Sequence, residues 1–84
     1  MHKKSELTED TRGRLKGFYI QEDKLVERIK AARDHGEKYI KWGWFSRLSI
    51  EEAEKKLADV RKEITRIEAM YKGLRMGERP AWAY

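Results

Sequence analysis

Ala53-Glu-Lys-Lys-Leu57-Ala-Asp-Val60-Arg-Lys-Glu-Ile64-Thr-Arg-Ile67-Glu-Ala-Met-Tyr71-Lys-Gly-Leu74 is the stretch that decides the fold. Its apolar residues Ala53, Leu57, Val60, Ile64, Ile67, Tyr71 and Leu74 are spaced by four and three in strict alternation. That spacing holds them on one stripe of a helix, while the charges between them keep the other face in water. Leu15, Phe18, Leu25, Ile29 and Ala32 fit the same register, with Glu22 in the one polar slot. Two helices with one apolar stripe each bury those stripes against one another. The expected fold is therefore mainly α, an antiparallel helical hairpin, with Leu57 and Ile64 buried at the centre of its seam.

The second helix opens on Ser49-Ile-Glu-Glu52, a capping box. Glu51–Lys55, Glu52–Lys56 and Glu68–Lys72 stand four residues apart in the favourable order. The helix is expected to run to Gly73 or Gly77, where Arg75-Met-Gly-Glu-Arg-Pro80 stops it and residues 77–84 form a tail. The first helical region spans residues 8–35. Thr8 before Glu9 and Asp10 marks its start, and Gly36 after Arg33 and His35 marks a left-handed cap at its end. Gly13 and Gly17 each cost about 1 kcal/mol in a helix interior. Residues 9–17 are therefore either a weak helix or a short one that breaks before a firmer helix at 18–35. The Gly13–Gly17 spacing signals a bend or a close backbone contact more often than a dimer motif in a chain of this kind. Residues 1–7 read as frayed. The joint, residues 36–48, is too long for a tight helix–helix turn. Tyr39 to Phe45 is rich in strand formers, which suits either a small β-hairpin with Gly43 at its corner or a packed irregular loop.

Eighty-four residues make a single small domain. Leu, Ile and Val number only fourteen, and 42% of the chain is charged. So thin an aliphatic supply leaves two options: nine aromatics complete the core, or the seam is shared with another copy or another protein. The second is the expectation. The absence of cysteine removes disulfides, thiolate metal sites and cysteine nucleophiles together. No apolar run approaches a membrane span, and Met-His-Lys-Lys-Ser-Glu-Leu-Thr has no apolar core behind its lysines to make a signal peptide. The expected location is the cytoplasm, or a virion assembled within it.

Catalysis finds no support. His2 and His35 lie far apart with no serine–acid or acid–histidine pattern, and no glycine loop is built to cradle phosphate. Glu51, Glu52 and Glu54 read as a helix N-terminus rather than an acid–base pair. The expectation is a non-enzymatic protein with no cofactor, metal, small-molecule substrate or membrane among its partners. The candidate partner-binding residues are Tyr39, Trp42, Trp44, Phe45, Trp82 and Tyr84. The joint rings either cap the open end of the helical hairpin and complete its core, or anchor a protein interface. Trp82 and Tyr84 are expected to dock on an aromatic surface that includes Trp42 or Trp44, on the same chain or the next. The net charge of +5 gathers at the head of the chain and in the joint. A nucleic-acid contact would use two patches: Arg12, Arg14 and Lys16, and Lys38, Lys41 and Arg47 among the rings.

Ala32-Arg-Asp-His-Gly36, Tyr39-Ile40, Leu57-Ala-Asp-Val-Arg-Lys-Glu-Ile-Thr-Arg-Ile-Glu68 and Trp82-Ala-Tyr84 together carry a resemblance over residues 25–84. In the order of its elements the chain resembles the short head-completion proteins of tailed phages, the W-type head–tail joining proteins. Its joint is longer, its first helix has an extra N-terminal stretch and its tail is short. The resemblance implies a ring-forming, non-enzymatic protein that seals a packaged genome and receives the tail. Residues 11–29 also resemble the start of small helical DNA-clamping proteins of bacteria. Two alternatives stand beside structural assembly: a small basic nucleic-acid binder, and a phage-encoded inhibitor of a host defence protein.

Overall fold

A computed structural model of the chain describes residues 4–83. Two helices, α1 (Glu9–Asp34) and α2 (Ile50–Met70), pack antiparallel and are joined by a hairpin of β1 (Tyr39–Lys41) and β2 (Arg47–Ser49). A single 3-10 turn, Ala81–Ala83, lies near the end of the chain. The molecule is elongated, 47 × 23 × 21 Å. Among the described residues, no helix is long and apolar enough to cross a membrane.

Both helix starts follow the sequence. Thr8 Oγ1 accepts from the Thr11 N–H at 3.3 Å, and Ser49 Oγ accepts from the Glu52 N–H at 3.1 Å. Gly36 caps α1 at φ +67°. There the Glu37 N–H donates to the Ala32 carbonyl at 2.8 Å and the Gly36 N–H to that of Arg33 at 3.2 Å, closing the last turn as a Schellman motif. Helix α1 runs unbroken through Gly13 and Gly17, and a Cβ at either glycine would meet nothing within 4 Å. These glycines are neither a break nor a site of close approach. Of the two readings of the joint, the hairpin is the one that forms. Its register pairs Tyr39 with Ser49, Ile40 with Leu48 and Lys41 with Arg47, and Gly43 turns the loop at φ +88°.

The core joins Leu15, Leu25, Ile29 and Ala32 of α1 to Ala53, Val60, Ile64 and Ile67 of α2, with Ile40 at the hairpin end and Leu74 at the other. Tyr19, rather than Phe18, is the ring that α1 buries fully; Phe18 packs half-buried beside it. Leu57, expected at the centre of the seam, is only half-buried, because it floors an open groove between the helices.

The spacing predicts a helix to Gly73 or Gly77, but α2 ends at Met70. Tyr71 turns extended (φ −118°, ψ 146°) to pair with Ser5: the Ser5 N–H donates to the Met70 carbonyl at 3.1 Å and the Lys72 N–H to that of Ser5 at 3.0 Å. Residues 1–3 lie outside the described residues, but Ser5 and Glu6 are tied to the end of α2 rather than frayed. Lys72 therefore reaches Glu6 (3.2 Å) instead of Glu68. Gly73 and Gly77, at φ +81° and +78°, then fold the chain back so that Leu74 re-enters the core from a return segment, not from the helix.

This return segment is held by a polar clasp. Glu68 is 3% exposed, and its carboxylate accepts from the Tyr19 hydroxyl (3.1 Å) and the Gly77 N–H (3.2 Å). Arg79 grips both oxygens of Asp23 (2.8 and 2.7 Å) and one of Glu22 (2.6 Å), and its guanidinium lies 4.8 Å from the Tyr19 ring. The bond from Arg79 holds the Asp23 carboxyl below its usual range. Burial, then the Glu68 charge, pushes the Tyr19 hydroxyl above the ordinary tyrosine value.

Two outcomes follow from this packing. Ile64→Ala is expected to cost about 2–5 kcal/mol in an unfolding titration, whereas Leu57→Ala, at the open groove, should cost less than the lower end of that range. In alkali, the unfolded chain loses the Tyr19 proton near pH 10 while the folded chain retains it. The folded state thus binds the extra proton, and stability is present below about pH 10 and falls as pH rises beyond it. Thermal melts of Tyr19→Phe should be less stable at neutral pH by about 1–3 kcal/mol, because Glu68 loses a partner. They should also show a shallower alkaline loss than the native chain.

Candidate interaction surface

The loop from Trp42 to Ser46 crowns the hairpin, and its aromatic residues divide by burial. Trp42 faces inward. Its backbone N–H donates to the Ser46 carbonyl at 2.9 Å, closing the loop. The Arg28 guanidinium and the Lys56 ammonium stand 5.6 and 5.7 Å from its ring, one from each helix. Arg28 also donates to the Lys41 carbonyl at 2.7 Å. Stacked cations and a charge-assisted bond thus fix the base of the loop to both helices.

Trp44 and Phe45 face out. They are 93% and 101% exposed, and nothing among the described residues covers them. Two adjacent large rings thus stand in solvent on a turn held from below. Burying such side chains is worth about 1.5–3 kcal/mol apiece. Tyr39, 56% exposed, extends the aromatic surface down the outer face of the hairpin.

The charge beside the rings is positive. Lys41 and Arg47 are direct cross-strand partners, and both are exposed. Like charges placed opposite one another weaken a hairpin, so a partner that brings carboxylates or phosphates relieves a repulsion already present. Lys38, immediately before β1, adds a third exposed cation.

The structure separates the remaining candidate residues from this surface. Trp82 does not meet Trp42 or Trp44. It packs half-buried at the far end of the molecule, with the Arg12 guanidinium 5.6 Å from its ring. Arg12 and Arg28, which stack on the two tryptophans, are sixteen residues apart on α1, about 24 Å along the helix axis. The tail docks where it does because the Arg79 clasp and the two left-handed glycines direct it onto the first half of α1. Tyr84 lies outside the described residues. The two basic patches likewise stand at opposite ends: Arg12, Arg14 and Lys16 near the start of α1, and Lys38, Lys41 and Arg47 on the hairpin. Of the first patch, Arg12 is engaged by Trp82, while Arg14 and Lys16 are exposed.

Sequence reasoning could not divide the joint's rings. The signal lies in the pairing: Ile40 opposite Leu48 fixes the inner face of the hairpin, Trp42 two residues on shares that face, and Trp44 and Phe45 lie beyond the paired strands. No family model, curated protein or solved structure matches the chain.

Trp44→Ser and Phe45→Ser, singly or together, should leave stability within about 0.5 kcal/mol of the native chain, as for surface changes. Trp42→Ala removes a packed ring and should lower the melting temperature clearly. Calorimetry on these variants checks the division.

Proposed function

We propose that this protein is a non-enzymatic structural adaptor of phage or mobile-element type, acting in an assembly such as a head–tail junction by inserting Trp44 and Phe45 into an apolar pocket of another protein. One observation carries the reading: two adjacent rings stand fully exposed on a loop whose base is fastened to both helices. Tryptophan is favoured among the residues that dominate binding energy at interfaces. A tip already held in shape loses little conformational freedom on docking. The element order of helix, hairpin, helix and apolar tail supports the head–tail placement through the resemblance described above. The partner pocket, on this reading, is apolar at its floor and acidic at its rim, to meet Lys41 and Arg47.

A second reading has its own support in the same place. Rings beside paired cations also suit single-stranded nucleic acid, where bases stack on the rings and phosphates meet Lys38, Lys41 and Arg47. The two are separated by what touches the tip. A photoreactive phenylalanine analogue in place of Phe45, irradiated in the cells that produce the protein, should attach to a polypeptide, and the adduct should vanish with Trp44→Ser. Adducts to nucleic acid alone would overturn the adaptor reading. A host defence enzyme as the attached polypeptide would turn it into an inhibitor.

A further inference from the structure

The hairpin is only two strands wide, so both of its edges are open. Which backbone groups face outward follows from its bonding. The Ile50 N–H donates to the Lys38 carbonyl at 3.2 Å, and the Trp42 N–H to the Ser46 carbonyl at 2.9 Å. Bonded and non-bonded pairs alternate along an antiparallel ladder, so Ile40 and Leu48 form the bonded pair between these two. Tyr39–Ser49 and Lys41–Arg47 are the non-bonded pairs. The N–H and C=O groups of Tyr39 and Lys41 therefore point away from β2, along the outer edge of β1. The Lys41 carbonyl accepts from the Arg28 guanidinium at 2.7 Å. Both backbone groups of Tyr39 and the Lys41 N–H have no partner among the described residues.

This edge borders a recess of about 450 Å3, lined by Ala31, Ala32 and His35 at the end of α1 and by Tyr39, Ile40 and Lys41 of β1. An extended segment lying along β1 places alternate side chains in that recess and the others in solvent. The surroundings are positive. Arg28, Lys38, Lys41 and Arg47 are exposed, and none is in an ion pair among the described residues. Glu37 is the single acid lining this recess and the adjoining one beside Lys38 and Arg47. The β2 side differs, because that strand runs directly into Glu51 and Glu52 in the first turn of α2. Charge thus distinguishes the two edges, and the β1 edge suits carboxylates. The same cations discourage pairing with a second copy, whose edge would bring Lys38 and Lys41 against their counterparts.

We infer that an acidic, extended segment of another protein adds to the outer edge of β1 as a third strand. This rests on the reading of the tip as a protein-binding element and gives the same partner a second contact: its pocket takes the rings, and a neighbouring segment pairs with β1. Main-chain bonds to Tyr39 and Lys41 supply attachment and register, and alternate side chains supply specificity. Carboxylates on the outward face lie beside Lys41 and Arg47 and relieve their repulsion. Apolar residues on the inward face rest on Ala31 and Ala32. An edge of three residues carries few bonds, so the segment alone binds weakly. It gains when the tip docks at the same time, because the second contact is then intramolecular.

The probe is a peptide of four Glu-Val repeats, acetylated and amidated at its ends. Titrated to millimolar concentration into the isotope-labelled native chain at low salt, it should shift the Tyr39 and Lys41 amide resonances and slow their hydrogen exchange. Binding should weaken as salt rises. A peptide of Lys-Val repeats should do neither. Nor should the Glu-Val peptide with every backbone nitrogen methylated, which keeps its charge but cannot join a ladder. Lys41→Gln should weaken binding about threefold, as for loss of an exposed ion pair. Lys41→Pro also deletes the outward N–H, at an edge position that tolerates proline, and should weaken it by about a further threefold or more. The methylated peptide tests the same bonds if the proline variant loses its hairpin. Strand addition is overturned by no response at millimolar peptide, by shifts without slowed exchange at Tyr39 and Lys41, or by equal binding of the lysine or methylated peptide. If it is overturned while the photoreactive tip still attaches to a polypeptide, the adaptor reading stands and only strand addition falls. Adducts of the tip to nucleic acid alone, with the peptide still protecting β1, overturn the role of the tip and leave that of the edge.

Discussion

Leu15, Leu25, Ile29 and Ala32 of α1 lie against Ala53, Val60, Ile64 and Ile67 of α2, and this contact uses most of the aliphatic surface the chain can bury. Its direction governs the rest. Antiparallel helices of 26 and 21 residues place the hairpin at one end and both described chain ends at the other. The aromatics outside the seam are therefore sorted into two distant groups. At the hairpin end, Trp42 seals the seam beneath its two cations. At the other end, Trp82 is drawn onto α1 beneath Arg12. Trp44 and Phe45 are left over because the seam ends below them.

The far end of the molecule closes with Leu74 and, beyond it, with charge. Glu68 is buried with a hydroxyl and a backbone N–H as partners, and Arg79 collects Glu22 and Asp23. A buried carboxylate contributes little net stability compared with an apolar side chain of similar size, but it is costly to leave without partners. The arrangement therefore specifies position more than it adds strength: only when Gly77 and Arg79 lie over α1 are these groups satisfied. A weak seam extended by a position-specific clasp holds the hairpin loop and the tail at opposite ends of the molecule.

The seam, both helix starts and the Gly36 cap could be read from residue spacing, because each depends on neighbours within one turn. The continuity of α1 through Gly13 and Gly17 could not, since local propensity argues for a break and packing of Leu15 and Tyr19 on both sides of Gly17 overrides it. The early end of α2 was hidden because its cause, the pairing of Ser5 with Tyr71, spans 66 positions. Glu68 looked like a partner for Lys72 at helical spacing, yet it turns inward to Tyr19, 49 positions away. The same limit applied to the surface: spacing found the aromatic joint but could not separate an anchoring ring from two offered ones. That separation depends on which face of the hairpin meets the helices.

Such a molecule holds Trp44 and Phe45 in solvent on a fastened base. The rigid base, the repelling pair Lys41 and Arg47 and the open groove all follow from a hairpin set on the end of a short seam. Trp44 stands in water while Trp42 and Trp82 are packed. Fluorine NMR of the native chain labelled with 5-fluorotryptophan, in dilute solution, tests this directly through the shift of each resonance between light and heavy water. One resonance should show the shift of a solvent-exposed indole and be lost in Trp44→Phe, and two should show clearly smaller shifts. Three protected resonances, or an exposed one that persists in Trp44→Phe, would contradict this placement.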